Sequence, residues 1–142
     1  MAHHNKIIMI VDDDAEDRLL IKDAFDELHY GKCIHFEENG ETAIKYLQGC
    51  LDRESIPGVI IIDLNMPKLN GRQTLKWIKS QEGLKHVNVV IFSTSLNPIE
   101  KEECLALGAH SYVIKPISYR ESITIAENFL SLTGVVHQDS IR

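Results

Sequence analysis

At 142 residues, with 44% hydrophobic and 25% charged side chains, the chain can bury one domain's core without disulfides or a structural metal. A formal net charge of -6 and the lack of any Lys/Arg run argue against the basic stripe that a nucleic-acid partner requires. The apolar runs fall far short of the ~20 residues of a membrane span and no signal-peptide pattern opens the chain, so the expectation is a cytoplasmic protein without membrane contact.

Residues 7–11 are uninterrupted apolar, the pattern of a strand buried on both faces. Over 15–28, Leu20, Ala24 and Leu28 recur every fourth residue with Ile21 and Phe25 beside them, which predicts an acidic helix with one apolar stripe. A weaker second strand is expected over 33–36, and Asn39 then caps a helix whose Ala43, Leu47 and Leu51 share a face. A rather long polar connection, 49–58, leads to the third and most hydrophobic strand, 59–62. After a loop over 65–71, a third helix turns Leu75 and Ile78 inward, and 89–92 is the fourth strand. Asn97 and Pro98 read as N-cap and first helical residue, with Glu100 placed for a capping box and Gly108 for a left-handed C-cap. The fifth strand is 111–114, and Ser118 with Glu121 opens a last helix carrying Ile123, Ala126 and Leu130 on one side. From Gly134 the tail is polar and has no period, which places one domain over 1–133, a tail over 134–142 and no separate output domain.

Strands that alternate with helices predict an α/β fold: a parallel sheet with right-handed crossovers and helices on both faces. Such sheets bind ligands at the carboxyl ends of their strands. Past the first strand stand Asp12, Asp13 and Asp14; past the third, Asp63; past the fourth, Ser93, Thr94 and Ser95; past the fifth, Lys115. Each residue alone has an ordinary explanation, Asp14 as a helix cap and the serines as turn chemistry, but their convergence on one edge does not. The cysteines Cys33, Cys50 and Cys104 have no metal spacing and read as small apolar residues. His3 and His4 sit at a terminus and read as no metal site.

Two carboxylates about 4 Å apart repel by roughly 4 kcal/mol at an effective dielectric near 20, so Asp12, Asp13 and Asp63 need a cation among them. An all-oxygen donor set suits a hard divalent ion, and Mg²⁺ suits carboxylates combined with a phosphate oxygen. Asp63 stands alone at the end of the most buried strand and is the expected nucleophile, forming an acyl phosphate with Lys115 as the second positive charge.

These residues resemble the receiver domain of two-component response regulators: Val-Asp-Asp-Asp at 11–14, Asp-Leu-Asn-Met-Pro at 63–67 with Gly71, Ser-Thr at 93–94, and Ser-Tyr-Val-Ile-Lys-Pro at 111–116. The resemblance spans roughly 6–132 and implies a flavodoxin-like, doubly wound fold with strand order 2-1-3-4-5. It further implies Asp63 as phosphoacceptor, with Asp12, Asp13, Asp63 and the Asn65 carbonyl around Mg²⁺. Ser93 and Lys115 would bind the phosphoryl group, and Ser93 and Tyr112 would form the switch. Partners implied are a sensor histidine kinase or phosphotransfer protein and a downstream protein target, with homodimers through the face of the fourth helix, fifth strand and fifth helix as a family option. The 49–58 connection, with Asp-Leu-Asn-Met-Pro-Lys and Ser-Thr-Ser-Leu, resembles stand-alone receivers associated with phytochrome-type histidine kinases. Thr94 departs from the family's usual small residue and would narrow access to the phosphoryl group.

Three other readings compete. A phosphatase with an aspartyl nucleophile would carry an acid two residues after it, where Asn65 stands. A flavin or nucleotide binder would carry a phosphate-cradling loop where Asp12 to Asp14 stand. A receiver acting only as a scaffold would have lost part of the acidic and lysine set.

Overall fold

The computed structural model describes residues 7–134. Five strands, β1 (Ile8–Val11), β2 (Ile34–Glu37), β3 (Val59–Asp63), β4 (Asn88–Ser93) and β5 (Ser111–Ile114), form one parallel sheet in the order β2-β1-β3-β4-β5. Five helices alternate with them: α1 (Ala15–Glu27), α2 (Gly40–Arg53), α3 (Gly71–Ser80), α4 (Pro98–Ala106) and α5 (Tyr119–Ser131). This is the flavodoxin-like order expected from the sequence.

Because the sheet is covered on both sides, β1 and β3 are apolar at nearly every position and fully buried. Met9, Ile60, Ile62 and Ile91 point into a core shared with α2, α3 and Cys104 of α4, while Ile8, Ile10, Ile61 and Phe92 point into one shared with α1 and α5. Phe92 and Phe129 meet edge to face in the second core, with ring centroids 5.6 Å apart.

Helix ends follow the capping residues. Asp14 accepts from the backbone N–H groups of Glu16 and Asp17, and Asn39 from that of Thr42. Asn97 accepts from Ile99 and Glu100, so one half of the expected box forms there. At α5 the Glu121 carboxylate accepts from the Ile117 N–H, one residue before the Ser118 cap. The complete capping box lies at α3, between Asn70 and Gln73, where the sequence reading placed none.

The long polar connection over 49–58 is corrected. Helix α2 continues through Arg53, because Cys50 and Leu51 extend its inner face past Gly49. It ends at Glu54, whose φ of 57° puts a non-glycine residue in the left-handed region, so only a short link precedes β3. The 134–142 tail beyond Gly134 and the pair His3 and His4 lie outside the described residues.

At the far end of α4, Gly108 turns with φ of +106°, as its C-cap reading requires. A Cβ there would sit 3.1 Å from Cγ of Lys79, whose ammonium donates to the carbonyls of Lys85 and Val87 at 3.0 and 2.8 Å. Burial pulls the Lys79 ammonium below its ordinary pKa.

Candidate functional site

At the carboxyl edge of the sheet, β1, β3, β4 and β5 deliver their terminal residues to one small region. Asp63 is the last residue of β3 and Ser93 the last of β4, both buried. Asp12 follows β1 directly and is buried, whereas Asp13 beside it is exposed. Carboxylate oxygens of Asp12, Asp13 and Asp63 lie within 4.8 Å of one another. Asn65 is exposed on the loop after β3, and its backbone N–H donates to Oδ1 of Asp63 at 3.2 Å.

This proximity is built by glycine. A Cβ on Gly71 would lie 2.6 Å from the Asp63 carbonyl and 2.7 Å from the Leu64 Cα, so only a hydrogen lets the first turn of α3 pass so close to the end of β3. The 64–70 loop thereby closes onto the strand, and the Gly71 N–H donates to the Leu64 carbonyl.

Lys115 follows β5, with its backbone N–H bonded to the Ser93 carbonyl at 2.7 Å. Its ammonium is 2.9 Å from Oδ2 of Asp12 and 3.4 Å from Oδ2 of Asp63. A third carboxylate is nearer still: Oδ2 of Asp17, in the first turn of α1, at 2.7 Å. The sequence reading did not single out Asp17. Its only signal was a further acid on the helix that Asp14 caps, five residues after Asp12, which does not distinguish it from the other acids of α1.

The charges do not balance. Burial pushes the Asp63 carboxyl up to about 6, with Lys115 opposing and Asp12 adding to the rise. Burial likewise raises Asp12, against its bonds to Lys115 and Asp14. For Lys115 burial acts downward, but its bonds to Asp17 and Asp12 and the charges of Asp12 and Asp63 outweigh it and hold the ammonium protonated. One ammonium thus serves carboxylates on three residues, and the Asp12–Asp13–Asp63 group retains negative charge. An all-oxygen set of this kind fits a hard divalent cation.

Ser93 and Tyr112 converge on one acceptor. The Ser93 hydroxyl donates to the Ser95 carbonyl at 2.9 Å, and the half-buried Tyr112 hydroxyl donates to the same oxygen at 3.0 Å. Thr94 between them is exposed. Leu96 and Ile99, just beyond, are 61% and 73% exposed, and Ile114 and Ile117 are exposed on the β5 side.

A family model described as the response regulator receiver domain matches residues 8–127. The chain is 31% identical over 118 residues to the probable methanogenesis regulatory protein FilR2 of Methanothrix harundinacea, covering 81% of this chain and 75% of that protein. Among solved structures it resembles the phosphorylated cyanobacterial phytochrome response regulator RcpA at 31% identity and a TM-score of 0.78, over 89% of this chain and 95% of that one. It also resembles the Mn(2+)-bound form of response regulator Rcp1 at 26% identity and a TM-score of 0.74, over 93% and 98% of the two chains.

Proposed function

Since the chain belongs to the response regulator receiver domain family, we propose that it is a phosphorylation switch that takes a phosphoryl group on Asp63 and signals through protein contacts. The observation that carries this reading is the convergence of Asp63, Asp12, Asp13 and the Lys115 ammonium at one sheet edge. The donor is a histidine kinase or a phosphotransfer protein. The likeness to phytochrome response regulators favours a kinase of that class, the net charge of -6 disfavours a nucleic-acid partner, and among the described residues no helix is long and apolar enough to cross a membrane.

In the transfer, an Asp63 carboxylate oxygen attacks phosphorus, the N–P bond of the donor's phosphohistidine breaks, and an acyl phosphate forms. The Asn65 N–H holds Oδ1 of Asp63, which fixes the carboxylate's orientation. Asp12, Asp13, Asp63 and the Asn65 carbonyl are the residues that would hold Mg²⁺, which neutralises charge on the transferring group when bound. Lys115 lies close enough to Asp63 to donate to a phosphoryl oxygen. Asn65 offers no transferable proton two residues after the nucleophile, so that position supplies no acid to drive turnover as a general phosphatase.

The switch reading assigns Ser93 to the phosphoryl group. When its hydroxyl turns there, the Ser95 carbonyl keeps Tyr112 as its remaining donor, and the loop leading to α4 repacks. Moving such an equilibrium from 1:99 to 99:1 needs about 5.5 kcal/mol of differential interaction. The exposed Leu96, Ile99, Ile114 and Ile117 lie on the α4-β5-α5 face, which is the surface offered to a target or a second copy.

Intact mass after treatment with phosphoramidate and Mg²⁺ tests the assignment. One phosphoryl adduct is expected on the wild type and none on Asp63→Asn. An Asp63→Asn protein that still gained one phosphoryl group at full stoichiometry would show the acceptor to be elsewhere.

A further inference from the structure

We propose that Asp17 is a positioning residue for Lys115, aiming the ammonium at the acceptor from outside the metal-binding group. This inference rests on the phosphoacceptor reading of Asp63. An ammonium has three N–H donors, and here three carboxylates surround it, on Asp17, Asp12 and Asp63. The contact to Asp17 is the shortest at 2.7 Å and that to Asp63 the longest at 3.4 Å. The hydrogen bond to Asp17 and the short ion pair to Asp12 thus hold the ammonium in place 3.4 Å from Oδ2 of Asp63, the carboxylate that receives the phosphoryl group.

Asp17 suits this work for two reasons. It is not among the carboxylates that converge as a cation site, so its hold on Lys115 does not depend on what that site binds. Its backbone is also fixed, since Asp14 accepts from the Asp17 N–H at 3.2 Å as part of the α1 cap. The next residue braces the other side of the same loop: Arg18 donates to the Asp12 carbonyl at 2.6 Å. One turn of α1 thus holds both the lysine and the backbone of the first acidic residue. The Lys115 stem gains support from the apolar floor, with its ammonium 5.8 Å from the Phe92 ring centroid.

The alternative role for Asp17 is purely electrostatic, a negative charge that tempers the lysine. The two roles separate by substitution. Asparagine keeps an acceptor oxygen at the same reach and removes the charge; alanine removes both. The rate of phosphoryl uptake from phosphoramidate with saturating Mg²⁺ should fall about tenfold in Asp17→Ala, since loss of orientation at a reacting group costs one to two orders of magnitude. It should recover to within about threefold of wild type in Asp17→Asn. Thermal unfolding of all three proteins reports whether the fold is kept, as a one-third exposed side chain predicts. Uptake by Asp17→Ala at the wild-type rate, or Asp17→Asn as slow as Asp17→Ala, overturns the positioning role and leaves the acceptor assignment intact. A wild type that takes up no phosphoryl group overturns the acceptor reading, and this inference with it.

Discussion

Replacing Asp63 with asparagine in the metal-free protein should stabilise it, and the gain should depend on pH in a set direction. The carboxyl is nearly enclosed, with 9% of its side chain exposed, and burial lifts it from an ordinary 3.8 to about 6. Between those values the folded chain keeps a proton that the unfolded chain has released. Stability therefore falls as pH rises from about 4 to about 6, and the loss is complete above that. At 1.36 kcal/mol for each tenfold change in proton affinity, the wild type forfeits up to about 3 kcal/mol at pH 7.5. Asparagine carries no charge, keeps a carbonyl oxygen for the Asn65 N–H, and leaves Lys115 its two shorter ion pairs, to Asp12 and Asp17. Urea unfolding in EDTA at pH 7.5 should place Asp63→Asn above wild type by 1–3 kcal/mol, with the difference shrinking toward pH 4. A variant less stable than wild type at pH 7.5 would mean that Lys115 more than compensates the buried charge, and the electrostatic account of the site would be wrong.

Adding Mg²⁺ to the wild type should raise its melting temperature, by the equivalent of about 2.7 kcal/mol at one hundred times the dissociation constant. Asp13→Asn should lose most of that gain in the same thermal scan while leaving the metal-free protein nearly unchanged, because Asp13 is exposed. Gly71→Ala forces a methyl group against the Asp63 carbonyl and Leu64 Cα, and should cost about 1–3 kcal/mol in chemical denaturation and slow phosphoryl uptake by intact mass. Tyr112→Phe deletes the bond to the Ser95 carbonyl at a cost of about 1 kcal/mol, and leaves the rate of phosphoryl uptake within twofold of wild type.

The sheet was legible because burial on both faces demands apolar runs with no polar interruption, as at 59–62, and because Asn39, Asn97 and Gly108 carry the local chemistry of helix ends. The acidic edge was legible for the same reason: a polar residue directly after an all-apolar strand has one place to go. What could not be read were features set by three-dimensional approach. Gly49 in a polar stretch resembles a loop even though Leu51 keeps the helical spacing of Ala43 and Leu47, and Cys50 meeting the core shows that α2 runs on to Arg53. Asp17 sits among seven other acids on α1 and the loop before it, with nothing in its own neighbourhood to mark it as the one facing Lys115. The sharing of the Ser95 carbonyl by Ser93 and Tyr112 depends on where two strands end, which no spacing encodes.

The two ends of α4 are held unequally. Its trailing end is moored by buried Cys104, by the ion pair between Glu103 and Arg72 of α3, and by Gly108 lying on the stem of Lys79. Its leading end carries exposed Ile99 and begins just past exposed Leu96 and the Ser95 carbonyl. A helix fastened this way is anchored more firmly at its trailing end than at its leading end. A displacement of the Ser93–Ser95 corner would reach exposed Leu96 and Ile99 directly, without breaking the contacts of Cys104 at the other end. If the switch works as proposed, the signal and the anchoring contacts would lie at opposite ends of one helix.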